Sequence, residues 1–572
     1  MTSHRHNSRH PSPGGPRARH GGAAALALFT TFALGTLAGD GGCSLAVDAS
    51  TSQCDVDAEC LGKGLADTIC LDNTCVRPLD YCQTNQECID RSGGQPYVCV
   101  QKQCQSLLSD DCKDVIGTPE EYGNDNAVVI GYISLLAGNP LASQGLGGAN
   151  AVELARGDFV RAFGGLPPAA PGGPVRPLVV VVCNELPDPL RPSRHLVETL
   201  KVPAVIGPLS SSGALVAAQQ VMIPNNVLHL NPTATTLAMS QLEDRGLVWR
   251  TDAVDVDLVG AMGAFTSQLE AQLRGGAAPV VTGEDGLKVA YVHRGDILGT
   301  SVQSLFLDTL EFNGKKASAN TLLNTYRSFD YGDFVDPATT AETTKRAVAG
   351  VIGYLPHVVL LFGLGEMVTT FSQIEQQWPA NAPYRPYYVL HPAGFGGDWK
   401  TVIGSNEDLR RRVFGTLPFA NPADPVGALI KSRYDGLYAQ DTAAVWSTPA
   451  QAGYDNLYLF AYAAIANGNR PLTGPNLAES MKKIAPPGTA IKSSDTSTIL
   501  SAVVELQAGR NIDYFGALGN IVFDDAGEFA PPVIIWCTSP APDNRGRPSG
   551  LTFNKTTRQL EGTNTCVAAP AP

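Results

Sequence analysis

The sequence predicts an α/β protein whose parallel sheets are covered by helices on both faces, preceded by a small disulfide-rich region. Three observations carry this prediction. From Asn126 onward, short continuous runs of Val, Leu and Ile alternate with amphipathic stretches of helical length, and strands that read as unbroken apolar runs belong to sheets buried on both sides. Residues 205 to 236, VIGPLSSSGALVAAQQVMIPNNVLHLNPTATT, read as strand, hydroxyl-rich turn, helix, strand and a second hydroxyl-rich turn. Residues 44 to 112 hold nine cysteines and few large apolar side chains, the composition of a region stapled covalently because it cannot bury a sufficient core.

A chain of 572 residues exceeds one ordinary domain, and two or three are expected. With 44% hydrophobic and 17% charged residues it has the composition of a soluble globular protein. A net charge of −13 argues against nucleic acid as a partner, because neutralising phosphates needs clustered Lys and Arg. The one basic cluster, in the first 22 residues, precedes an apolar run from Ala23 to Ala38. That run has signal-peptide length and is too short for a comfortable membrane span. Gly41-Gly42-Cys43 follows and resembles a bacterial lipoprotein signal, although Asp40 stands where an apolar residue is usual. Two readings of Cys43 stand: lipidation, giving a membrane anchor, or ordinary cleavage near Ala38 to Gly42 with the cysteine in a disulfide. Either places the mature chain outside the cytoplasm, in the periplasm or on the outer surface of a bacterium.

Eight cysteines form a repeat. Cys54-x5-Cys60-x9-Cys70-x4-Cys75 is followed by Cys82-x5-Cys88-x10-Cys99-x4-Cys104. Each four-cysteine unit allows three pairings, and spacing does not choose among them. Zinc is the alternative, but no C-x2-C pair occurs, so no metal is expected. The remaining Cys112, Cys183, Cys537 and Cys566 are an even set, and position alone suggests Cys112 with Cys183 and Cys537 with Cys566. Each bridge would add about 2–4 kcal/mol.

In order, Val128 to Ile133 reads as the first strand of the α/β region, Ala149 to Phe163 as a helix, Leu178 to Val182 as a strand and Pro192 to Leu200 as a helix. After the 205 to 236 stretch, Lys288 to Val292 is a fresh strand and Gly299 to Phe312 a helix ended by Asn313-Gly314. His357 to Phe362 and Tyr387 to Leu390 are strands flanking a helix from Glu366 to Gln377. Asp424 to Tyr438, Ala450 to Asn467 and Gly474 to Ile484 are helices, and Val533 to Trp536 is the last strand. The Pro- and Gly-punctuated tail from Thr538 has the texture of partly disordered chain.

A turn of small hydroxyl residues opening directly into a helix presents backbone N–H groups and the positive end of the helix dipole to an anion. Two such turns from consecutive strands of one parallel sheet converge at the sheet's carboxyl edge, which makes Ser211, Ser212, Thr233 and Thr235 a candidate half-site. The competing explanation is that these residues only cap helices. The histidines are scattered without metal-ligand spacing, and His229, in an apolar strand, reads as a core residue.

The same stretch resembles the substrate-binding proteins of the branched-chain amino acid transport class. Supporting runs are VVIGYISLLAGNPLASQG at Val128, VWRTDAVDVD at Val248, KVAYVHRGDILG at Lys288, AGYDNLYLFAYAAIANG at Ala452 and GALGNIVFDDAGEF at Gly516. Together they cover most of residues 126 to 537 in the family's order. The resemblance implies the two-lobed type 1 periplasmic binding protein fold, with three hinge crossings near Trp249 to Asp257, Gly415 to Asn421 and Gly516 to Asp524. It divides the chain into a signal peptide (1–43), a disulfide-rich repeat region or stalk (44–112), lobe 1 (113–253 and 419–517), lobe 2 (254–418 and 518–540) and a tail (541–572).

By the same resemblance Ser211, Thr233 and Thr235 are ligand-binding, with Gln144, Leu209, Ser210 and Ala234 beside them. Lobe 2 departs from the pattern: Leu298 and Leu364 stand where aromatic residues are expected, and Ala393 where an acid is expected. The missing acid makes a free α-amino acid a poor ligand, and Asp296 and Glu366 read as solvent-facing or helix-capping. The implied function is an extracytoplasmic binding protein for a small polar or anionic ligand, serving uptake or sensing with a transporter permease or signalling partner and using no cofactor. An enzyme is the second reading, opposed by the lack of a G-x-S-x-G elbow, H-E-x-x-H, P-loop or G-x-G-x-x-G. A surface interaction protein that has lost its small-molecule site is the third.

Overall fold

The computed structural model describes residues 52–65, 68–71, 73–76, 81–138, 141–170, 172–275, 279–282, 286–332, 337–396, 399–418, 425–529 and 531–566. The expected signal peptide and Cys43 lie outside these residues. The chain divides into two compact units, residues 1–77 and 78–572.

The described part of the first unit is one four-cysteine repeat: helix Asp57–Gly62 against the hairpin Ile69–Leu71 and Thr74–Val76, closed by Cys54–Cys70 and Cys60–Cys75. The second repeat, within the larger unit, has the same plan, with Cys82–Cys99 and Cys88–Cys104. In both, the residue three places after the first cysteine accepts the N–H of the third: Asp57 from Cys70 at 2.8 Å and Asn85 from Cys99 at 2.7 Å. The repeats differ in what surrounds them. Ile89, Val98 and Leu107 join a core cluster with Val179, Val181 and Leu196, so the second repeat is part of lobe 1 and does not belong to a separate stalk.

Lobe 1 is built on β1 Cys112–Ile116, β2 Val128–Ser134, β3 Leu178–Asn184, β4 Ala204–Ile206, β5 Leu228–Asn231 and β6 Val248–Arg250, in the spatial order β6-β5-β4-β2-β3-β1. All pair in parallel except the edge strand β1, which is antiparallel to β3 and disulfide-bonded to it through Cys112 and Cys183. Lobe 2 contains β7 Val289–His293, β8 Tyr326–Asp330, β9 Val358–Phe362, β10 Tyr387–Leu390, β11 Val413–Pro418, β12 Val533–Thr538, β13 Gly546–Asn554 and β14 Gln559–Gly562. Their order is β8-β7-β9-β10-β11-β12-β13-β14, parallel through β11 and antiparallel beyond it. The chain crosses between the sheets after β6, between β11 and the helix Pro425–Tyr438, and between the short strand Gly519–Asn520 and β12. Two α/β lobes with three crossings are the predicted class.

Several elements differ from expectation for identifiable reasons. Helix α1 spans Ala142–Phe163 and starts two turns early, because Gly145 and Gly147 let it lie against backbone: a Cβ at either would stand 2.1 Å from the Leu135 carbonyl oxygen or 2.0 Å from that of Val445. Val248–Arg250 is a full strand before the first crossing, and a 20-residue helix, Asp255–Arg274, follows it. Helix Ile297–Thr309 stops before Asn313-Gly314, which instead turns the hairpin Glu311–Phe312 and Lys315–Lys316. The tail is not disordered texture throughout: β13 and β14 extend the lobe 2 sheet, with Leu551 and Phe553 in its core and Cys566 bonded to Cys537.

Candidate functional site

The first hydroxyl turn leaves β4 through Gly207, whose φ of +94° and whose position 2.0 Å, at a built Cβ, from the Ile133 carbonyl oxygen admit only glycine. Ser210 then caps helix α2 (Ser211–Ala217), its Oγ accepting the Gly213 N–H at 3.0 Å. The expectation of N–H groups open to an anion is met only in part. The buried carboxylate of Glu185, just past β3, accepts the N–H groups of Leu209 at 2.9 Å and Ser210 at 3.1 Å and the Ser210 hydroxyl. Burial pushes the Glu185 carboxyl up, against these hydrogen bonds. Ser211 is left as the turn's hydroxyl for a ligand.

The second turn is organised by Asn231 at the end of β5. Its Oδ1 accepts the N–H groups of Thr233 at 3.1 Å and Ala234 at 2.6 Å, and its Nδ2 donates to the Pro208 carbonyl at 2.8 Å. Thr233 Oγ1 donates to the Leu209 carbonyl at 2.5 Å, lacing the two turns together. Thr235 Oγ1 is buried beside the Asp255 carboxyl, with which it interacts.

These turns face a cleft of about 480 Å³. Of the ten ligand positions expected from sequence, Gln144, Leu209, Ser210, Ser211, Thr233, Thr235, Leu298, Leu364 and Ala393 line it. Ala234 does not; it is fully buried beside Ala214, Met239 and Val248. Gln144 reaches the cleft from the first turn of α1. The structure adds residues that sequence reasoning passed over: Asp252 from the first crossing, Arg294 after β7, His391 after β10, Trp446 from the loop before the helix Thr448–Ala466, and Arg545 from the tail. Arg294 and His391 stand within a few positions of the departures noted at Leu298 and Ala393. Trp446 and Arg545 carry no local signal.

Arg294 anchors the lobe 2 wall. Its guanidinium pairs with Asp296 at 2.7 Å and with Glu366 at 3.3 Å. Asp296 also caps its helix through the Gly299 N–H at 3.4 Å. Glu366 is buried and accepts from Leu364 N and Tyr331 Oη, so it neither faces solvent nor caps a helix; the cation beside it makes burial tolerable. Burial raises the carboxyl of Asp252 to about 8 and that of Asp255 to about 6. Burial, reinforced by Arg294, lowers the His391 imidazole to about 3.

No family model matches this chain, and no curated protein does. Solved structures match its fold. A leucine-binding protein of Thermotoga maritima is 14% identical over 75% of this chain and all of its own, with a TM-score of 0.52. A type 1 periplasmic binding protein of Bordetella pertussis is 17% identical over 74% and 99%, with a TM-score of 0.50. A solute-binding protein of an ABC transporter from R. palustris, solved with benzoate, is 13% identical over 78% and 100%, with a TM-score of 0.51. The chain therefore has the type 1 periplasmic binding fold. Among the described residues no helix is long and apolar enough to cross a membrane.

Proposed function

We propose that this chain is an extracytoplasmic, non-enzymatic binding protein that closes two lobes on a small polar or anionic ligand. The observation that carries the reading is the convergence of both lobe 1 hydroxyl turns with Arg294 and His391 of lobe 2 on one cleft of about 480 Å³. Ser211 and Thr235 hold the ligand on lobe 1, and lobe 2 contacts favour the closed arrangement, which a transporter permease or a signalling partner then reads. The similar proteins of T. maritima and R. palustris, described as leucine-binding and as solved with benzoate, support a small organic ligand. Export by residues 1–43, with a lipid anchor at Cys43, completes the proposal.

The test is a thermal-shift screen of the chain against amino acids, amides, short peptides and small organic anions, with a Ser211→Ala/Thr235→Ala variant as control. A ligand at 100 times its dissociation constant adds about 2.7 kcal/mol, and that gain should vanish in the double variant. No shift across the library would favour the surface-interaction reading, against which the open volume of the cleft counts.

A further inference from the structure

We infer that Ile297 and Leu364 form an apolar latch between the lobes: two lobe 2 side chains, set by one buried cation, hold the cleft closed by packing on lobe 1 and need no ligand to do so. The inference goes beyond the binding-protein reading and stands on contacts between the lobes alone.

Leu364, just past β9, packs against the lobe 2 core and also against Leu135, Leu141 and Leu209 of lobe 1. Those three come from separate connections, after β2, before α1 and in the first hydroxyl turn, and none is more than 6% exposed. Ile297, the first residue of helix Ile297–Thr309, packs against a lobe 1 cluster that includes Ala214 and Leu215 of α2, Met239 and Val248. Both contacts border the ligand space: Leu364 and its three partners line the cleft, and Ile297 lies between the lining residues Asp296 and Leu298.

One cation mounts both side chains. The Arg294 guanidinium pairs with Asp296 at 2.7 Å and with Glu366 at 3.3 Å. Asp296 caps the helix that Ile297 begins, accepting the Gly299 N–H at 3.4 Å. Glu366 fixes the Leu364 loop by accepting the Leu364 N–H at 3.0 Å, and Tyr331 Oη donates to the same carboxylate at 3.1 Å. The charge of Arg294 is thus engaged within lobe 2, on the two acids that orient Ile297 and Leu364. Opening the lobes returns these side chains and the surfaces they cover to water, and exposing one leucine side chain shifts an equilibrium by about tenfold or more.

Single-molecule energy transfer tests this on the full chain with no ligand added, using dyes on azide-bearing residues that replace Gln220 of lobe 1 and Gln376 of lobe 2, both exposed. The parent chain should populate mainly the closed arrangement. Leu364→Ala should raise the ratio of open to closed molecules at least about tenfold, and Ile297→Asp/Leu364→Asp should leave most molecules open. Leu322→Asp, at a lobe 2 position that is 88% exposed and outside both contacts, should change nothing. Far-ultraviolet circular dichroism should match the parent in each variant; if the double variant loses it, Leu364→Ala, which only shortens a side chain, decides. A parent chain that is mostly open overturns the latch, as does a Leu364→Ala variant with the parent's ratio. Because no ligand enters, either failure leaves the binding-protein reading standing, and silence in the ligand screen leaves the latch standing.

Discussion

Arg250, at the end of β6 on the first lobe crossing, forms a buried ion pair with Glu528 on the third. The two segments are also joined through backbone, Arg250 N to Gly527 O at 2.9 Å and Phe529 N to Arg250 O at 3.0 Å. The same guanidinium donates to the Thr236 carbonyl at 2.9 Å and the Ala234 carbonyl at 3.3 Å. One side chain thus ties the Pro-Thr-Ala-Thr turn to the hinge. Removing one partner of a buried pair typically costs about 3–5 kcal/mol, because the other charge stays behind. Arg250→Ala should lower unfolding stability by that amount in urea titration, with Glu528→Gln costing less because it keeps shape and a hydrogen bond. A loss below about 1 kcal/mol for Arg250→Ala would remove this pair from the account of the hinge.

Trp446 is the tryptophan that lines the cleft, and its loop is seated by the Val445 N–H donating to Ser143 O at 2.8 Å. Because a Cβ on Gly147 would stand 2.0 Å from the Val445 carbonyl oxygen, Gly147→Ala must move that loop. Its tryptophan emission should shift while far-ultraviolet circular dichroism holds, and ligand affinity should fall. Unchanged emission would show that α1 can absorb the methyl group.

The pH dependence of stability has two opposed parts. Burial lowers His229 and His357 to about 4 and His391 to about 3, from 6.5. Their stabilisation is present above pH 6.5 and is lost as pH falls, because the unfolded chain takes up three protons that the native chain refuses. Asp252, at about 8, and Asp255, at about 6, are raised from 3.8. Their contribution is present below pH 3.8 and is lost as pH rises, because the native chain keeps protons the unfolded chain has released. Burial also lowers His195 and His293 and raises Glu185 and Asp513. Between pH 4 and 6 the histidine protons outweigh the carboxyl protons and stability rises with pH, and above about 6.5 only the raised carboxyls remain and stability falls. The melting temperature should peak near pH 6 to 6.5, and a steady rise through pH 8 would contradict these assignments.

The Cys537–Cys566 bridge closes the segment that carries β13 and β14. Replacing both cysteines with alanine should cost about 3 kcal/mol by chain entropy. Trypsin should then cut faster at Arg558, an exposed residue in the turn between those strands, before the rest of lobe 2 is cut. A digestion pattern like that of the parent chain would mean that the strand pairing and the burial of Leu551 and Phe553 hold the tail without the bridge.

Much of this molecule could be read along the chain, because the signals are local. Continuous apolar runs such as Val358 to Phe362 declare strands buried on both faces, the Ser and Thr turns declare where strands give way to helices, and the doubled cysteine spacing declares two stapled units. Their order was enough for the two-lobed class and for nine of the cleft positions. Tertiary structure alone decided the rest. The glycines before Ala149 read as loop until Leu135 and Val445 are seen lying against them, and the tail reads as disordered until it finds the open edge of β12. The anion position at the Leu209–Ser210 turn was open by sequence and is filled by Glu185, a residue on a different strand connection. Arg294, His391, Trp446 and Arg545 share one cleft only because the strand order and three crossings bring their loops to it. Residue pattern encodes which face of each element is buried, whereas shared access to a cleft is a long-range property of how the elements pack.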